Sequence, residues 1–304
     1  MKPRVTYQFC NHRFLPWAFL LPSLVGTCLF YLVPFLEIAA WSFSDARRSS
    51  FVILDNYKSV LQNSAFRLAV KNTLCFLGVC LPLLLGVGLL LAWLLWLLLP
   101  HSRYVQPLLL LPPALPVAGI ALTWKILFED GGLLNSCLEQ FGLPSVSFLK
   151  SNAVFGVLVA TFIWKNLGYT LLIWMAGLCS IPRVLYEAAA IDGAGPWRSF
   201  LYITLPALPS SFGLASLFGI IGCFRVFREA WLLAGNYPPD SIYLLPHLLN
   251  NWFLALDMQR LSAAVMLVLS VFGGMMVAVR SLMALYPADG RMADRSQDAA
   301  DYRG

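Results

Sequence analysis

The sequence predicts an all-α integral membrane protein, and two features of its composition and one of its pattern lead to that prediction. Hydrophobic residues make up 59% of the 304 residues and charged residues only 12%, whereas soluble globular domains carry about 25% charged residues. The mean hydropathy is +0.73. Several apolar runs reach the roughly 20 residues that a helix needs to cross the hydrocarbon core of a bilayer. A soluble globular fold is therefore excluded.

Six apolar stretches predict six transmembrane helices. In chain order they cover about residues 14–40, 72–99, 107–128, 153–178, 208–232 and 261–285. The first follows a basic N-terminus, but it is longer than the roughly 7–15 apolar residues of a signal peptide, so we expect an uncleaved crossing. Prolines are expected to kink the third stretch, and charged residues interrupt the fifth. Together these helices form one predicted membrane domain, residues 14–285.

Both termini are predicted to lie on the same side of the membrane, because the number of crossings is even. Lys and Arg residues number ten on that side and eight on the opposite side. Positive charge accumulates on the cytoplasmic side of membrane proteins, so this small excess favours cytoplasmic termini. Residues 1–13 and the tail, residues 286–304, are thus expected in the cytoplasm. The tail has no apolar period and is predicted to be disordered.

The remaining composition argues against several functions. The Lys and Arg residues are scattered and form no basic stripe, which argues against nucleic-acid binding. The seven cysteines have no C-x-x-C spacing, and the three histidines are isolated, so no metal site is predicted. No paired carboxylates and no nucleophile constellation stand out, which argues against a membrane enzyme.

The segment between the fourth and fifth crossings is unusually polar for this chain and reads YEAAAIDGAGPWRSFLYITLP. We expect Ser180 to cap a helix in which Pro182 takes an early position. The N–H that proline lacks has no partner in the first turn of a helix, so proline costs little there. Gly193 is expected to end that helix, because glycine accepts a left-handed backbone. Pro196 then begins a second helix that ends near Leu205. The pattern predicts an exposed helix–corner–helix, and an amphipathic loop at the lipid headgroups is the alternative.

This segment resembles the cytoplasmic EAA loop of ATP-binding-cassette (ABC) import permeases. The residues that match its E-A-A and D-G-A motifs are Glu187, Ala188, Ala189, Asp192, Gly193 and Ala194. The pattern F-x-x-I-x-L-P follows between Phe200 and Pro206, and Ile181-Pro182 also fits upstream. Some ten positions at fixed spacing make this resemblance specific.

Other parts of the chain extend the resemblance over about residues 14–285. Leu21-Pro22-Ser23, Trp41-Ser42-Phe43, Asn56-Tyr57 and Asn72-Thr73 resemble positions around the first two crossings of carbohydrate-type permeases. The chain is similar to the first of the two permeases in maltose-type and glycerol-phosphate-type systems. Its Ala234–Pro239 segment departs from the T-x-G-G-P pattern common there, which leaves the cargo open.

The resemblance implies a type I ABC importer transmembrane domain in a bacterial inner membrane. It implies that the loop, residues 180–206, inserts into a cleft of a cytoplasmic ATPase, with Glu187 as an ionic contact and Gly193 allowing close backbone approach. The chain has no G-x-x-x-x-G-K-S/T phosphate loop, so ATP and Mg²⁺ are expected on partner ATPases and no cofactor on this chain. The implied partners are a second permease, two ATP-binding subunits and an extracytoplasmic solute-binding protein.

Polar side chains within the fourth and fifth crossings are candidates for the cargo pathway, because ionisable groups are costly at membrane depth. They are Trp164, Lys165, Asn166, Tyr169, Arg225 and Glu229. Sugars are bound by aromatic faces and by polar groups at their hydroxyls. Alternatively, Arg225 and Glu229 neutralise each other one turn apart, and the aromatic residues form interfacial belts.

The predicted cargo is a sugar, with oligosaccharides foremost, and glycerol-phosphate or another small polar solute is the alternative. A self-sufficient secondary transporter or channel is a further alternative. It would transport without an ATPase and would leave the EAA-like loop unexplained.

Overall fold

The computed structural model describes residues 15–45, 50–98 and 111–285, and this part of the chain is helical. The predicted N-terminal segment 1–13 and tail 286–304 lie outside the described residues. A single isolated bridge between Ser44 and Phe51 is the one extended pairing within the described ranges. The α-helices, numbered in chain order, are α1 (Leu15–Thr27), α2 (Val33–Ser42), α3 (Asp55–Gln62), α4 (Ser64–Leu98), α5 (Leu111–Ala114), α6 (Val117–Phe128), α7 (Leu133–Gln140), α8 (Val154–Ser180), α9 (Arg183–Ile191), α10 (Pro196–Ser199), α11 (Leu205–Ala207), α12 (Pro209–Arg225), α13 (Phe227–Ala234), α14 (Leu245–Leu254) and α15 (Met258–Leu285).

Three other helical turns complete the described chain. A π-helical turn, Cys28–Leu32, joins α1 to α2, and another, Phe200–Thr204, joins α10 to α11. A short 3₁₀ helix, Asp240–Ile242, precedes α14. The predicted all-helical class is confirmed for the described residues.

Four helical stretches in the described part are long and apolar enough to cross a membrane: Phe19–Ser42, Ser64–Leu97, Val154–Ser180 and Pro209–Ala234. They correspond to the first, second, fourth and fifth predicted crossings. A shorter apolar helical stretch, Met258–Gly274, falls in the sixth predicted crossing. The described helices therefore agree with a multi-pass membrane protein, and they give four full-length crossings by length and composition.

The third predicted crossing is broken into two helices, and its prolines explain the break. Pro116 adopts an extended backbone with φ −60° and ψ 137° immediately before α6. Proline disfavours a helical conformation in the residue before it and lacks the N–H that a helix needs. The 12 residues of α6 therefore extend only about 18 Å at 1.5 Å per residue.

The described residues form two compact units, and the larger comprises residues 63–251. Its helices α4, α8 and α12 pack against one another along their lengths. One apolar core is centred on Phe76, whose ring meets that of Phe162 edge-on at 5.5 Å. A second core contains the buried Leu171 and Trp174 of α8 and Leu208 before α12.

Small residues let these helices approach closely, as is usual where helices pack within lipid. A Cβ atom added at Gly177 of α8 would lie 2.8 Å from Leu208 Cδ2 and 2.9 Å from Ser211 Cβ. A Cβ atom added at Gly219 of α12 would lie 2.7 Å from Leu81 Cδ1 of α4. A larger residue at either position would therefore require the neighbouring side chains to shift.

Polar bonds tie the chain after α13 to the first turns of α4. The backbone N–H of Leu245 donates to Thr73 Oγ1 at 2.8 Å, and Asn72 Nδ2 donates to the Tyr243 carbonyl at 3.1 Å. His247 is buried nearby, and burial lowers its pKa to about 4, so its ring is neutral at pH 7. The Asn72-Thr73 pair noted in the sequence thus has a structural role.

The smaller unit comprises the described residues of 15–62 and 252–285. Its helix α15 packs against α2 and α3. The Asn56 side chain donates to the carbonyls of Ser42 and Ser44, both at 3.0 Å, and the Tyr57 hydroxyl donates to Ser42 Oγ at 2.8 Å. The Asn56-Tyr57 pair therefore holds the end of α2.

The first helical stretch exposes large apolar side chains along its length. Phe19 is 79% exposed, Phe30 is 72% exposed and Tyr31 is 76% exposed. Contiguous apolar surface of this kind indicates contact with lipid or with another subunit rather than with water.

We predict that Gly177→Ala destabilises the larger unit by about 1–3 kcal/mol, because the added methyl overpacks the contact between α8 and α12. Thermal unfolding of the detergent-solubilised protein measures this loss. Gly156→Ala on the same helix is the matched control, since a Cβ atom there meets nothing within 4 Å. Removing the Ser211 side chain in the Gly177→Ala background should recover part of the loss. Equal unfolding temperatures for the two alanine variants would contradict the prediction.

Candidate functional site

The polar segment between α8 and α12 begins with a bend at a proline. The backbone of Ile181 is extended, with ψ 125°, as expected for a residue before proline. The prediction that Ser180 caps the next helix is wrong. Ser180 is the last residue of α8, and its hydroxyl donates to the Gly177 carbonyl at 2.7 Å. Pro182 instead occupies the position immediately before α9.

The corner of the segment is a Schellman motif at Gly193. The backbone N–H of Ala194 donates to the Ala189 carbonyl at 2.8 Å, and that of Gly193 donates to the Ala190 carbonyl at 3.1 Å. Gly193 has φ +77°, in the left-handed region that favours glycine. The predicted stop at Gly193 and restart at Pro196 are both confirmed. The second helix continues through a π-helical turn to Ala207.

The six residues that match the EAA loop lie on the accessible side of this helix–corner–helix. Glu187, Ala188, Asp192 and Gly193 are exposed, and Ala189 and Ala194 are half-buried. Glu187 forms no salt bridge with any residue in the described ranges. Its carboxylate is therefore available to a partner.

An aromatic cluster fixes the opposite side of the segment to the end of α4. Its members are Trp93, Trp96, Tyr186, Trp197 and Phe200. Trp93 meets Phe200 at 4.8 Å and Trp197 at 6.0 Å between ring centroids. Trp96 meets Tyr186 at 4.9 Å, and the Tyr186 hydroxyl lies 2.8 Å from Thr204 Oγ1. The segment is thus anchored on one side and free on the other.

Sequence reasoning missed the aromatic cluster. Trp93 and Trp96 are three residues apart and so share a helix face, which was a usable signal. Tryptophans at the end of an apolar run are more readily assigned to the membrane interface. Their partners lie some 90 to 107 residues further along the chain, where sequence spacing alone gives no indication of contact.

A cavity of about 460 Å³ lies beside α8, α12 and α13. Five of the six predicted pathway residues line it, namely Lys165, Asn166, Tyr169, Arg225 and Glu229. Asn166 Nδ2 donates to the Phe162 carbonyl at 2.8 Å. The structure therefore brings candidate side chains of the fourth and fifth predicted crossings together around one cavity.

Trp164 is the predicted pathway residue that does not line the cavity. Its ring packs edge-on against Trp124 of α6, with the ring centroids 5.9 Å apart. It is 39% exposed. Its neighbour Lys165 lies 100° further around the helix, and this rotation separates the two side chains.

The structure does not form the Arg225–Glu229 pair that was the alternative to a pathway role. Glu229 bonds to Lys165 on α8 rather than to Arg225 one turn away. The Lys165 side chain is 21% exposed and that of Glu229 is 5% exposed. Arg225 is exposed and forms no salt bridge with the described residues. The lining thus carries one neutralised pair and one uncompensated cation.

Further lining residues follow a helical period that the sequence contained. Phe162 and Thr170 of α8 line the cavity together with Lys165, Asn166 and Tyr169, at spacings of three or four. Gly222 of α12 lines it one turn before Arg225. Extending the polar positions by one turn in each direction would have predicted these residues. In the described ranges, no three metal-ligating side chains gather as a metal ion requires.

Comparison with known proteins gives close relatives over most of the chain. No protein-family model matches the chain. It is 33% identical over 267 residues to the sn-glycerol-3-phosphate transport system permease protein UgpA of Yersinia pseudotuberculosis, which covers 85% of this chain and 91% of that protein. It is 35% identical over 221 residues to the UgpA protein of an Escherichia coli strain, covering 71% of this chain and 75% of that protein.

Solved structures show the same fold at lower identity. A crystal structure of a bacterial ABC transporter that imports the acidic polysaccharide alginate matches with a TM-score of 0.77, 22% identity, and coverage of 90% of this chain and 96% of that one. The alginate transporter in complex with its pentasaccharide-bound periplasmic protein matches with a TM-score of 0.77 and 23% identity, covering 89% and 93%. The helices of this chain thus follow a permease fold.

We predict that Trp93→Ala loosens the segment on the end of α4. Each aromatic pair contributes about 0.5–1.5 kcal/mol, and Trp93 forms two of them. Amides between residues 196 and 204 should therefore exchange with deuterium several-fold faster in hydrogen-exchange mass spectrometry. Trp231→Ala on α13 is the control, because Trp231 is outside the cluster. Unchanged exchange in residues 196–204 of the Trp93 variant would refute the anchoring role.

Proposed function

This chain belongs to the permease family of ABC importers, and we propose that it is the first of two unlike permeases in an importer of sugars. It is a transport subunit, and the ATP and Mg²⁺ are held by separate ATPase subunits. The observation that carries this proposal is the helix–corner–helix between α8 and α12, anchored by aromatic rings and free at Glu187.

The proposed coupling element is residues 180–206, with Glu187, Ala188, Ala189, Asp192, Gly193 and Ala194 at the ATPase contact. Exposure of Glu187 and the absence of a salt bridge to it within the described residues support an ionic contact with a partner. The open space around Gly193 supports close backbone approach. Closure of the ATPase pair moves this element, and the aromatic cluster transmits the movement to α4. The permease then alternates between a state whose pathway is open to the cytoplasm and a state whose pathway is open to the outside.

The proposed topology has six crossings and both termini in the cytoplasm. ATP is cytoplasmic, so a segment that contacts the ATPase lies on that side of the membrane. The predicted third and sixth crossings, residues 107–128 and 261–285, complete the six together with the four long apolar stretches. The proposed domain comprises residues 14–285, flanked by cytoplasmic residues 1–13 and a cytoplasmic tail, residues 286–304. The membrane is the bacterial inner membrane.

The proposed assembly contains a second permease, two ATP-binding subunits and an extracytoplasmic solute-binding protein. The exposed apolar surface of Phe19–Ser42 supports a subunit or lipid contact on that helix. The loops at residues 42–71 and 235–260 are the proposed docking region for the binding protein. The solved alginate transporter was crystallised with a periplasmic protein carrying an alginate pentasaccharide.

The proposed cargo is a polyhydroxylated solute, with sugars as the first candidate. The amide of Asn166 and the ring of Tyr169 in the cavity support recognition of hydroxyl groups and of an apolar sugar face. Glycerol-phosphate is the second candidate, and a specific observation favours it. The uncompensated Arg225 suits an anionic group, and relatives at 33–35% identity are named as glycerol-3-phosphate permeases.

We predict that Glu187→Gln and Gly193→Ala each weaken co-purification with the ATP-binding subunits and lower ATP-dependent uptake about fivefold or more. The first removes a charged contact of about 1.5–3 kcal/mol. The second forces alanine into a left-handed conformation at a cost of about 1–2 kcal/mol. Pull-down and uptake into proteoliposomes measure both effects.

A matched control for the glycine substitution exists outside the loop. Gly142→Ala imposes a similar strain, since Gly142 has φ +72°, but it follows α7. It should leave co-purification unchanged. If the Glu187 and Gly193 variants assemble and transport like the unaltered protein, the coupling proposal fails.

We predict that Arg225→Gln distinguishes the two cargo candidates. If the cargo is anionic, removing its charge partner costs roughly 2–5 kcal/mol and uptake of sn-glycerol 3-phosphate falls at least 30-fold. If the cargo is a neutral sugar, uptake of maltose changes little. Initial uptake rates for the two solutes measure the difference. Arg228→Gln, at an exposed arginine that does not line the cavity, is the control.

A further inference from the structure

The ion pair between Lys165 and Glu229 joins α8 to α13, and its geometry is poorly suited to holding the bundle together. The Glu229 side chain is 5% exposed. One of its carboxylate oxygens bonds to Lys165, and the other, Oε2, is buried with no hydrogen-bond partner in the described part of the protein. A buried ion pair stabilises a fold only when its remaining hydrogen-bonding groups are satisfied. This pair therefore calls for an explanation other than stability.

Lys165 is the member of the pair that faces the cavity. Its side chain is 21% exposed and lines the cavity beside Asn166 and Tyr169. An ammonium group has three N–H donors, and Glu229 is its one acceptor among the described residues. N–H donors of Lys165 therefore remain for a molecule in the cavity, and the bond to Glu229 fixes the position of the ammonium group.

Glu229 also sets the charge that the cavity presents. The charged lining residues are Lys165, Arg225 and Glu229. Because Glu229 neutralises Lys165, the net charge of the lining is +1 and resides on Arg225. Without Glu229 the lining would carry two cations in a low-dielectric environment, where charge strongly affects affinity.

We infer that Glu229 is a positioning residue that makes Lys165 a donor to cargo hydroxyl groups and leaves Arg225 as the single anion-binding group. The cargo class that fits is a polyhydroxylated molecule with at most one anionic group. This inference rests on the proposed function, because it assumes that cargo enters this cavity. It adds that Lys165 contacts the cargo hydroxyls and that Glu229 limits the net charge of the cavity lining to +1.

The test is a charge swap in the assembled importer with its binding protein. The double variant Lys165→Glu/Glu229→Lys restores the ion pair but places a carboxylate, which has no donors, toward the cavity. Uptake of sn-glycerol 3-phosphate and of maltose into proteoliposomes, and the unfolding temperature, are measured together. Uptake of whichever solute the unaltered importer carries should fall about tenfold or more while the unfolding temperature is retained. Unchanged uptake by the swapped protein overturns the inference.

If the swapped protein does not assemble, a second pair of variants tests the role of Glu229. Glu229→Asp keeps the charge and should transport within about threefold of the unaltered protein, whereas Glu229→Gln should favour the anionic solute over the neutral one by about tenfold. Equal behaviour of these two variants overturns the inference. Lys125→Met and Glu139→Gln, which change charges outside the cavity, are the controls and should not alter selectivity.

The failure of the proposed function gives a different result. If the unaltered importer carries neither solute under conditions in which it hydrolyses ATP, the cargo assignment itself is wrong and the inference falls with it. If the unaltered importer carries a solute and the swap leaves uptake intact, the proposed function stands and only the roles inferred for Lys165 and Glu229 are refuted.

Discussion

Polar groups within hydrocarbon must find partners inside the protein, and three side chains of α8 meet this requirement within their own helix. The Thr161 and Thr170 hydroxyls donate to backbone carbonyls one turn earlier, at 2.8 and 3.2 Å. Asn166 does the same with its amide nitrogen. Asn166 and Thr170 line the cavity and still bond within their own helix. Away from the cavity, Trp174 Nε1 and Ser216 Oγ are buried with no hydrogen-bond partner among the described residues, so the requirement is met only in part.

The same packing connects the cavity to the polar segment. Helix α8 carries Lys165 and Tyr169 near its middle and ends at Ser180, where the segment begins. Gly177, in the last turn of α8, lies so close to Leu208 and Ser211 that a larger residue would require these side chains to shift. In the proposed coupling, a displacement of the segment would therefore reach α8 and α12 together and alter the cavity that both helices line.

Local chemistry made several features predictable from the sequence. Apolar length and composition gave the helical class, and the left-handed Gly193 followed from the properties of glycine. The cavity residues were predicted because charges are rare at membrane depth, and five of the six line one cavity. The partner of Glu229 was not predictable, since the choice between Arg225 and Lys165 depends on the rotation of α13 against α8. Trp164 packs against Trp124 instead, because it lies 100° from Lys165 around the same helix. The break at Pro116 depends on how much of a kinked run remains helical.

The length of α4 has a mechanical consequence. It is one helix of 35 residues, about 52 Å at 1.5 Å per residue, and both of its ends are tethered. Asn72 and Thr73 hold one end to the chain after α13, and Trp93 holds the other to the corner segment. Pro82 lies between these tethers and removes a backbone hydrogen bond there. In the proposed coupling, a displacement at Trp93 would pass along α4 toward Asn72 and Thr73, and Pro82 is the point at which the helix would bend.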